Sequence, residues 1–181
     1  MSETYVALLR GINVGGHHKV PMAELRKTME KMGFKKVKTL LNSGNVIFEG
    51  AFSPITDPEE LVSTGLEKAF GFPIPVLIRT AEEIRELIRS QPFERVEEAK
   101  DTRLYVSFLK HDPKIQIELP WTADDGSFRI LSVQQKAICS VLDLSITNTV
   151  KGMDALGQLF SKATMTTRNW KTINRIAEKL D

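Results

Sequence analysis

Apolar residues follow two rhythms along this chain. Tyr5-Val6-Ala7-Leu8-Leu9 is a nearly unbroken apolar run of strand length, the pattern of a strand covered on both faces. Met22, Leu25, Met29 and Met32 then recur at helical spacing, with Pro21 placed for a first helical position and Gly33 as the stop. Val37 to Leu41 and Val46 to Glu49 read as two strands joined by the turn Asn42-Ser43-Gly44-Asn45, whose glycine and asparagines suit positive φ. Asp57 is the N-cap of a second helix with Glu59 and Glu60 in its first turn, and Gly71 ends it. Ile74 to Arg79 is a fourth strand, in which Pro75 marks an edge or a strand start. The order over residues 4–79 is βαββαβ, the split-βαβ or ferredoxin-like arrangement.

The second half keeps the mixed character. Thr80 caps a third helix over 81–90, with Glu83 at the third helical position of a capping box. Residues 94–101 are charged and predicted to be exposed. Leu104 to Leu109 is a strand. Between His111 and Leu119 the pair Asp112-Pro113 favours a short helix. Phe128 to Val133 and Ala137 to Leu142 are strands joined near Gln134-Gln135, and Gly152 to Phe160 is helical. Thr166 or Thr167 is expected to cap a last helix running to about Leu180, its inward stripe being Trp170, Ile173, Ala177 and Leu180. The expected class is α+β: a ferredoxin-like unit over 1–80, then a second mixed α/β unit over 81–181 ending in a helix. No internal sequence repeat stands out.

Composition narrows the class of protein. Of 181 residues, 41% are hydrophobic and 27% charged, ordinary values for a globular chain. The longest apolar runs are of strand length, well short of the roughly 20 residues of a membrane span. Met1-Ser2-Glu3-Thr4 has no basic stretch leading into an apolar one, so no secretory signal is expected. A single cysteine, Cys139, excludes an internal disulfide and a multi-cysteine metal site; in its apolar strand it is expected to be a buried, inert thiol. These features point to the cytoplasm. The net charge of +2 is unevenly spread: residues 1–50 hold eight Lys/Arg against four Asp/Glu, and residues 51–100 hold six against ten. Ala155 to Ala177 has no acid but carries Lys162, Arg168, Lys171 and Arg175. Such clustering suggests an anionic partner, although a solvated face is the commoner cause.

The stretch that carries most chemistry is Arg10-Gly11-Ile12-Asn13-Val14-Gly15-Gly16-His17-His18-Lys19-Val20-Pro21, between the first strand and the first helix. Glycines let backbone N–H groups approach a ligand, a helix start adds donors and partial positive charge, and Arg10 and Lys19 neutralise an anion. The glycine spacing fails the dinucleotide fingerprint, and the two positions after Gly16 are His17 and His18 rather than the Lys and Ser/Thr of a phosphate-binding P-loop. The plainer alternative is a long connection whose glycines only solve backbone geometry. Taken from Val6-Ala7-Leu8-Leu9 through Gly16 and on to Lys19-Val20-Pro21-Met22, this stretch is the first of three distinctive segments, the others being Leu40-Leu41-Asn42-Ser43-Gly44-Asn45-Val46 and Thr166-Thr167-Arg168-Asn169-Trp170. Together the three resemble a bacterial family known as a domain of unknown function, number sixteen ninety-seven. The resemblance implies an α+β protein with a ferredoxin-like part, and implies no activity.

These segments define the expected ligand set: Arg10, Gly11, Asn13, Gly15, Gly16, His17, Lys19, Asn42, Ser43, Asn45, Thr167, Arg168 and Asn169. The expected ligand is a small phosphate-bearing anion or nucleotide, with Arg10, Lys19 and Arg168 on the phosphate and the asparagines orienting the rest. No His/Cys/acid spacing calls for a metal, and no cofactor is expected. Were there acid–base chemistry, His17 or His18 would be its natural carrier; the residues do not specify a reaction. Two other classes compete. A nucleic-acid module would stack bases on Tyr5 and Phe48, though a net charge of +2 is weak for a polyanion. A non-catalytic oligomeric scaffold would expose an apolar sheet face.

Overall fold

The computed structural model describes residues 1–114 and 117–181. It divides into two compact units, Met1–Glu86 with Ile176–Asp181, and Leu87–Arg175. The boundary therefore lies a few residues beyond the one expected after residue 80, and the first unit also takes in the chain's last residues.

The first unit contains β1 (Glu3–Leu9), α1 (Met22–Lys31), β2 (Lys35–Leu40), β3 (Asn45–Gly50), α2 (Pro58–Phe70) and β4 (Val76–Thr80), followed by the start of α3 (Ala81–Arg89). Its strands form one antiparallel sheet in the order β2-β3-β1-β4, which is the ferredoxin-like topology expected from the element order. Tyr5, Ala7, Leu9, Val46, Phe48, Val76 and Ile78 share one sheet face and build a core with Leu25 and Met29 of α1 and Val62 and Leu66 of α2. The caps follow local chemistry. The Asp57 carboxylate accepts from the Glu59 and Glu60 N–H groups, and Gly71 closes α2 in the left-handed conformation. At α3 the capping box forms: Thr80 N–H donates to Glu83 Oε2 at 2.8 Å, and Glu83 N–H to Thr80 Oγ1 at 3.1 Å.

Two expected surfaces are absent from this sheet. Tyr5 and Phe48 stack on each other at 5.6 Å, pack with Phe52, and lie on the helix-covered face with Phe48 fully buried. They are core residues and offer no platform for bases. On the other face Val6, Leu8, Ile47 and Leu77 are also buried, so these residues form no open apolar sheet face of the kind a scaffold would pair.

The second unit contains the end of α3, then β5 (Thr102–Leu109), β6 (Trp121–Thr122), β7 (Phe128–Gln134), β8 (Ala137–Asp143), α4 (Thr149–Leu159), β9 (Met165–Asn169) and most of α5 (Trp170–Glu178). Its sheet order is β6-β7-β8-β5-β9. Leu109, Phe128, Ile130, Ile138 and Leu142 form its core with Leu156 and Phe160 at the α4 end. The turn between β7 and β8 falls on Gln135 and Lys136, both with positive φ. Cys139 is buried, and desolvation pushes its thiol up to about 11.

Three sequence readings need correction here. Residues 111–114 and 117–119 form no helix; residues 115 and 116 lie outside the described residues. The two-residue strand β6 carries too little pattern to be read. Thr166 and Thr167 do not cap the last helix, because residues 165–169 pair with β5 as strand β9. Asn169 is the cap instead, its Oδ1 accepting from both the N–H and the hydroxyl of Thr172 at 2.8 Å. Of the stripe expected in α5, Ile173 is fully buried and Trp170 is half-buried against Phe93, while Ile176 is the second fully buried position.

The two sheets are built alike. Without β6 the second runs β7-β8-β5-β9, the same topology as β2-β3-β1-β4. The registers match residue for residue: Val6 pairs with Arg79 and Val106 with Arg168, Tyr5 with Thr80 and Tyr105 with Asn169. Leu9 N–H donates to Gly44 O and Arg10 N–H to Pro75 O; in the second unit Leu109 N–H donates to Lys136 O and Lys110 N–H to Thr164 O. The aligned strands read Tyr-Val-Ala-Leu-Leu-Arg (5–10) and Tyr-Val-Ser-Phe-Leu-Lys (105–110). Arg79 and Arg168 are both buried, and each donates Nη1 to the carbonyl of the residue before it. The two units thus repeat one sheet topology, an internal structural duplication; where the first has α1, the described residues between β5 and β7 hold the short strand β6.

Candidate anion-binding loops at the end of the first sheet

β1 runs antiparallel to both its neighbours. Its C-terminal end therefore lies beside the starts of β3 and β4, and three connections meet there: loop 10–20, turn 41–44 and the segment 71–75. Leu9 and Arg10 fasten the first to the other two through the backbone bonds to Gly44 and Pro75.

Asn13 organises the loop. It takes a left-handed backbone, φ 54°, a conformation asparagine tolerates better than most residues. Its Nδ2 donates to Val20 O at 3.0 Å and to Asn42 O at 2.8 Å, and its Oδ1 accepts from Val20 N–H at 2.8 Å. One side chain thus closes the loop on itself and ties it to the turn. Gly44 adds a steric lock: a Cβ there would stand 2.7 Å from Ile12 Cδ1 and 2.9 Å from Leu9 Cβ. Ile12 is buried beneath the loop.

Beyond Asn13 the chain makes a miniature hairpin. Asn13 N–H donates to His18 O and His17 N–H to Val14 O. Gly15 and Gly16 form its tip, both with positive φ, as a two-residue hairpin turn requires. Their conformation thus meets a local need, and the same geometry leaves the tip exposed. His18 stacks on Phe72 with ring centroids 4.5 Å apart and planes 14° apart, and its Nδ1 lies 3.3 Å from Gly11 O. Arg10, Gly11, His17 and Lys19 are exposed, as are Asn42 and Ser43 in the turn. Pro21 is the N-cap of α1, one residue earlier than the sequence suggested, and supplies no side-chain cap.

Of the remaining predicted residues, Asn45 and Arg168 are buried, Thr167 is half-buried and Asn169 is exposed. Asn45 is fully buried at the start of β3, its Nδ2 donating to Leu40 O at 2.8 Å and Ser43 Oγ at 3.1 Å. The positive φ angles of the turn fall on Leu41 and Gly44, not on the asparagines. Thr167, Arg168 and Asn169 belong to the second unit, where each has a structural task. Thr167 Oγ1 lies 2.7 Å from Ser107 Oγ, and Asn169 caps α5. Arg168 is buried, and Nη1 donates to Thr166 Oγ1 at 2.8 Å and to Thr167 O at 3.0 Å. Desolvation pulls its guanidinium down to about 10. An arginine in a basic, threonine-rich stretch looks like an anion clamp from sequence; its strand register turns it inward.

Fold and loops together define an α+β protein with a ferredoxin-like first unit and a second mixed α/β unit, the first with a braced, cation-bearing connection at one end of its sheet. The chain belongs to the family described as Protein of unknown function (DUF1697), whose profile matches residues 2–126. A solved structure, "The structure of conserved bacterial protein SP0830 from Streptococcus pneumoniae", is similar with a TM-score of 0.65 and 20% identity over 100% of both chains. That likeness is one of fold. No curated protein matches the chain. Among the described residues no helix is long and apolar enough to cross a membrane.

Proposed function

We propose that the protein binds a small phosphate-bearing anion or nucleotide, in the cytoplasm, at the end of its first sheet. The observation that carries this reading is the bracing by Asn13. It fixes loop 10–20 against turn 41–44 while Arg10, His17 and Lys19 remain in solvent. A preformed loop with unspent cations binds an anion without first losing conformational freedom. Gly11, Gly15 and Gly16 allow backbone approach, and Asn42 and Ser43 stand on the adjoining turn. Asn13 and Asn45 act behind these groups as braces. Thr167, Arg168 and Asn169 have structural hydrogen bonds within the second unit, and the proposed binding does not rest on them.

A thermal-shift screen against nucleotides, sugar phosphates, polyphosphate and short RNA tests this. A ligand that binds only the folded chain stabilises it by about 2.7 kcal/mol at a hundredfold excess over its dissociation constant. The expected result is a concentration-dependent rise in Tm with one phosphate compound, lost in Arg10→Ala and Lys19→Ala. A rise that survives both substitutions, or no rise with any anion, would overturn it. A response to RNA alone that falls steeply with salt would favour a nucleic-acid partner instead.

A further inference from the structure

The duplication gives the second unit its own version of this sheet end. Lys110 corresponds to Arg10, and Ser161 to Thr164 correspond to Phe72 to Pro75, as the matched bonds from Arg10 to Pro75 and from Lys110 to Thr164 require. In the first unit the two connections are drawn together by the stacking of His18 on Phe72. In the second unit Lys110 N–H ties the corresponding connections through Thr164 O, and a cavity of about 480 Å³ is lined by residues of both. That volume falls in the usual range for small-molecule pockets, roughly 300–1,000 Å³.

We infer that this cavity is a second binding site, for a small organic anion with an apolar body. His111 and Lys114 line it from the segment after β5, and Ser161, Lys162 and Thr164 from the segment before β9. Lys114 and Lys162 line it from the two segments, against one carboxylate, Asp112, among the described lining residues, so the charge of the lining favours an anion. Pro113 and Ala163 give the walls apolar surface, which a bare inorganic anion would not use and an aromatic or alkyl body would. The hydroxyls of Ser161 and Thr164 can donate to a phosphate or carboxylate oxygen. The two sites use different residues: the first rests on loop 10–20, where His18 stacks on Phe72, and the second on residues 111–114 and 161–164.

Isothermal titration of the full chain with phenyl phosphate, phenylacetate, inorganic phosphate and benzyl alcohol tests the inference. Saturable binding of phenyl phosphate or phenylacetate is expected, with inorganic phosphate and benzyl alcohol each weaker by about tenfold or more, the cost of losing one recognition element. Which aromatic anion binds better identifies the head group. Lys114→Glu and Lys162→Glu should each weaken binding by about tenfold, with Tm unchanged, and Arg10→Ala should leave it intact. Milder Lys114→Met and Lys162→Met variants serve if a charge reversal lowers Tm. Absence of saturable binding by either aromatic anion would overturn the site. So would binding that survives both lysine substitutions, or that is lost in Arg10→Ala alone, which would place the probe at loop 10–20.

Discussion

Asn13→Ala is the most direct test of how loop 10–20 is built. The substitution removes three hydrogen bonds, two donated by Nδ2 and one accepted by Oδ1. Each is worth about 0.5–1.5 kcal/mol net, and the lower half of that range applies because Asn13 is half-buried and water can reach Asn42 O. Alanine must also adopt φ 54°, at a cost of about 1 kcal/mol. The expected loss is therefore about 2.5–4 kcal/mol. In a chain of this length each kcal/mol lowers Tm by roughly 2–4 °C, so the fall should be roughly 5–16 °C. Urea denaturation followed by far-UV circular dichroism gives the free energy, and amide exchange at Val20 reports the loop itself. Asn13→Gly loses the same bonds but relaxes the backbone, so it should be about 1 kcal/mol less harmful than Asn13→Ala. A loss below about 0.5 kcal/mol, the level of an ordinary surface change, would refute the bracing role. Equal losses for alanine and glycine would refute the backbone part of the argument.

Other expectations follow from burial and capping. Arg168→Ala should cost more than about 2 kcal/mol by emptying a buried site, whereas Arg10→Ala should stay within about 0.5 kcal/mol; urea denaturation of the two variants side by side checks this. Thr80→Ala should cost about 1 kcal/mol by breaking the capping box, with Thr80→Ser close to the parent, as read by Tm. The Cys139 thiol should resist a disulfide-exchange reagent at pH 8 until the chain is unfolded. Its pKa rises from 9.0 to about 11 on folding. The contribution of that shift to stability is fully present below 9.0 and is lost as pH rises through about 11, which denaturation midpoints for the parent and Cys139→Ala can compare.

Much of the architecture was legible because its signals are local. Asp57 with Gly71, and Thr80 with Glu83, specify helix ends through atoms within a few residues of one another. The alternation of strands and helices up to residue 79 led directly to the first sheet. What failed depended on distant partners. Thr166-Thr167-Arg168 has the composition of a cap followed by a clamp, yet pairing with β5 makes it a strand and turns Arg168 inward. Tyr5 and Phe48 stand on the strands an RNA-binding sheet would use, but on the face that α1 and α2 cover. The duplication leaves little trace in the sequence, mainly in residues 5–10 against 105–110 and in the paired positions Arg79 and Arg168. Within the candidate site, the glycines and cations could be read from sequence; the role of Asn13 as a brace could not, because Val20 and Asn42 lie far from it in sequence.

The first unit draws its final piece, Ile176–Asp181, from beyond the whole second unit. Ile176 is fully buried, and the Arg85 guanidinium donates to Leu180 O at 3.0 Å. This places the two halves on different clocks during synthesis. A nascent chain has all four strands of its first sheet early, while the second unit, made later, lies in one continuous stretch. The half made first therefore waits for residues made after the whole second unit, and a chain lacking them carries an unfinished first unit. Chains halted before residue 176 should consequently be more open to proteases in residues 1–86 than in 87–175, an inversion of the usual order in which N-terminal domains settle first.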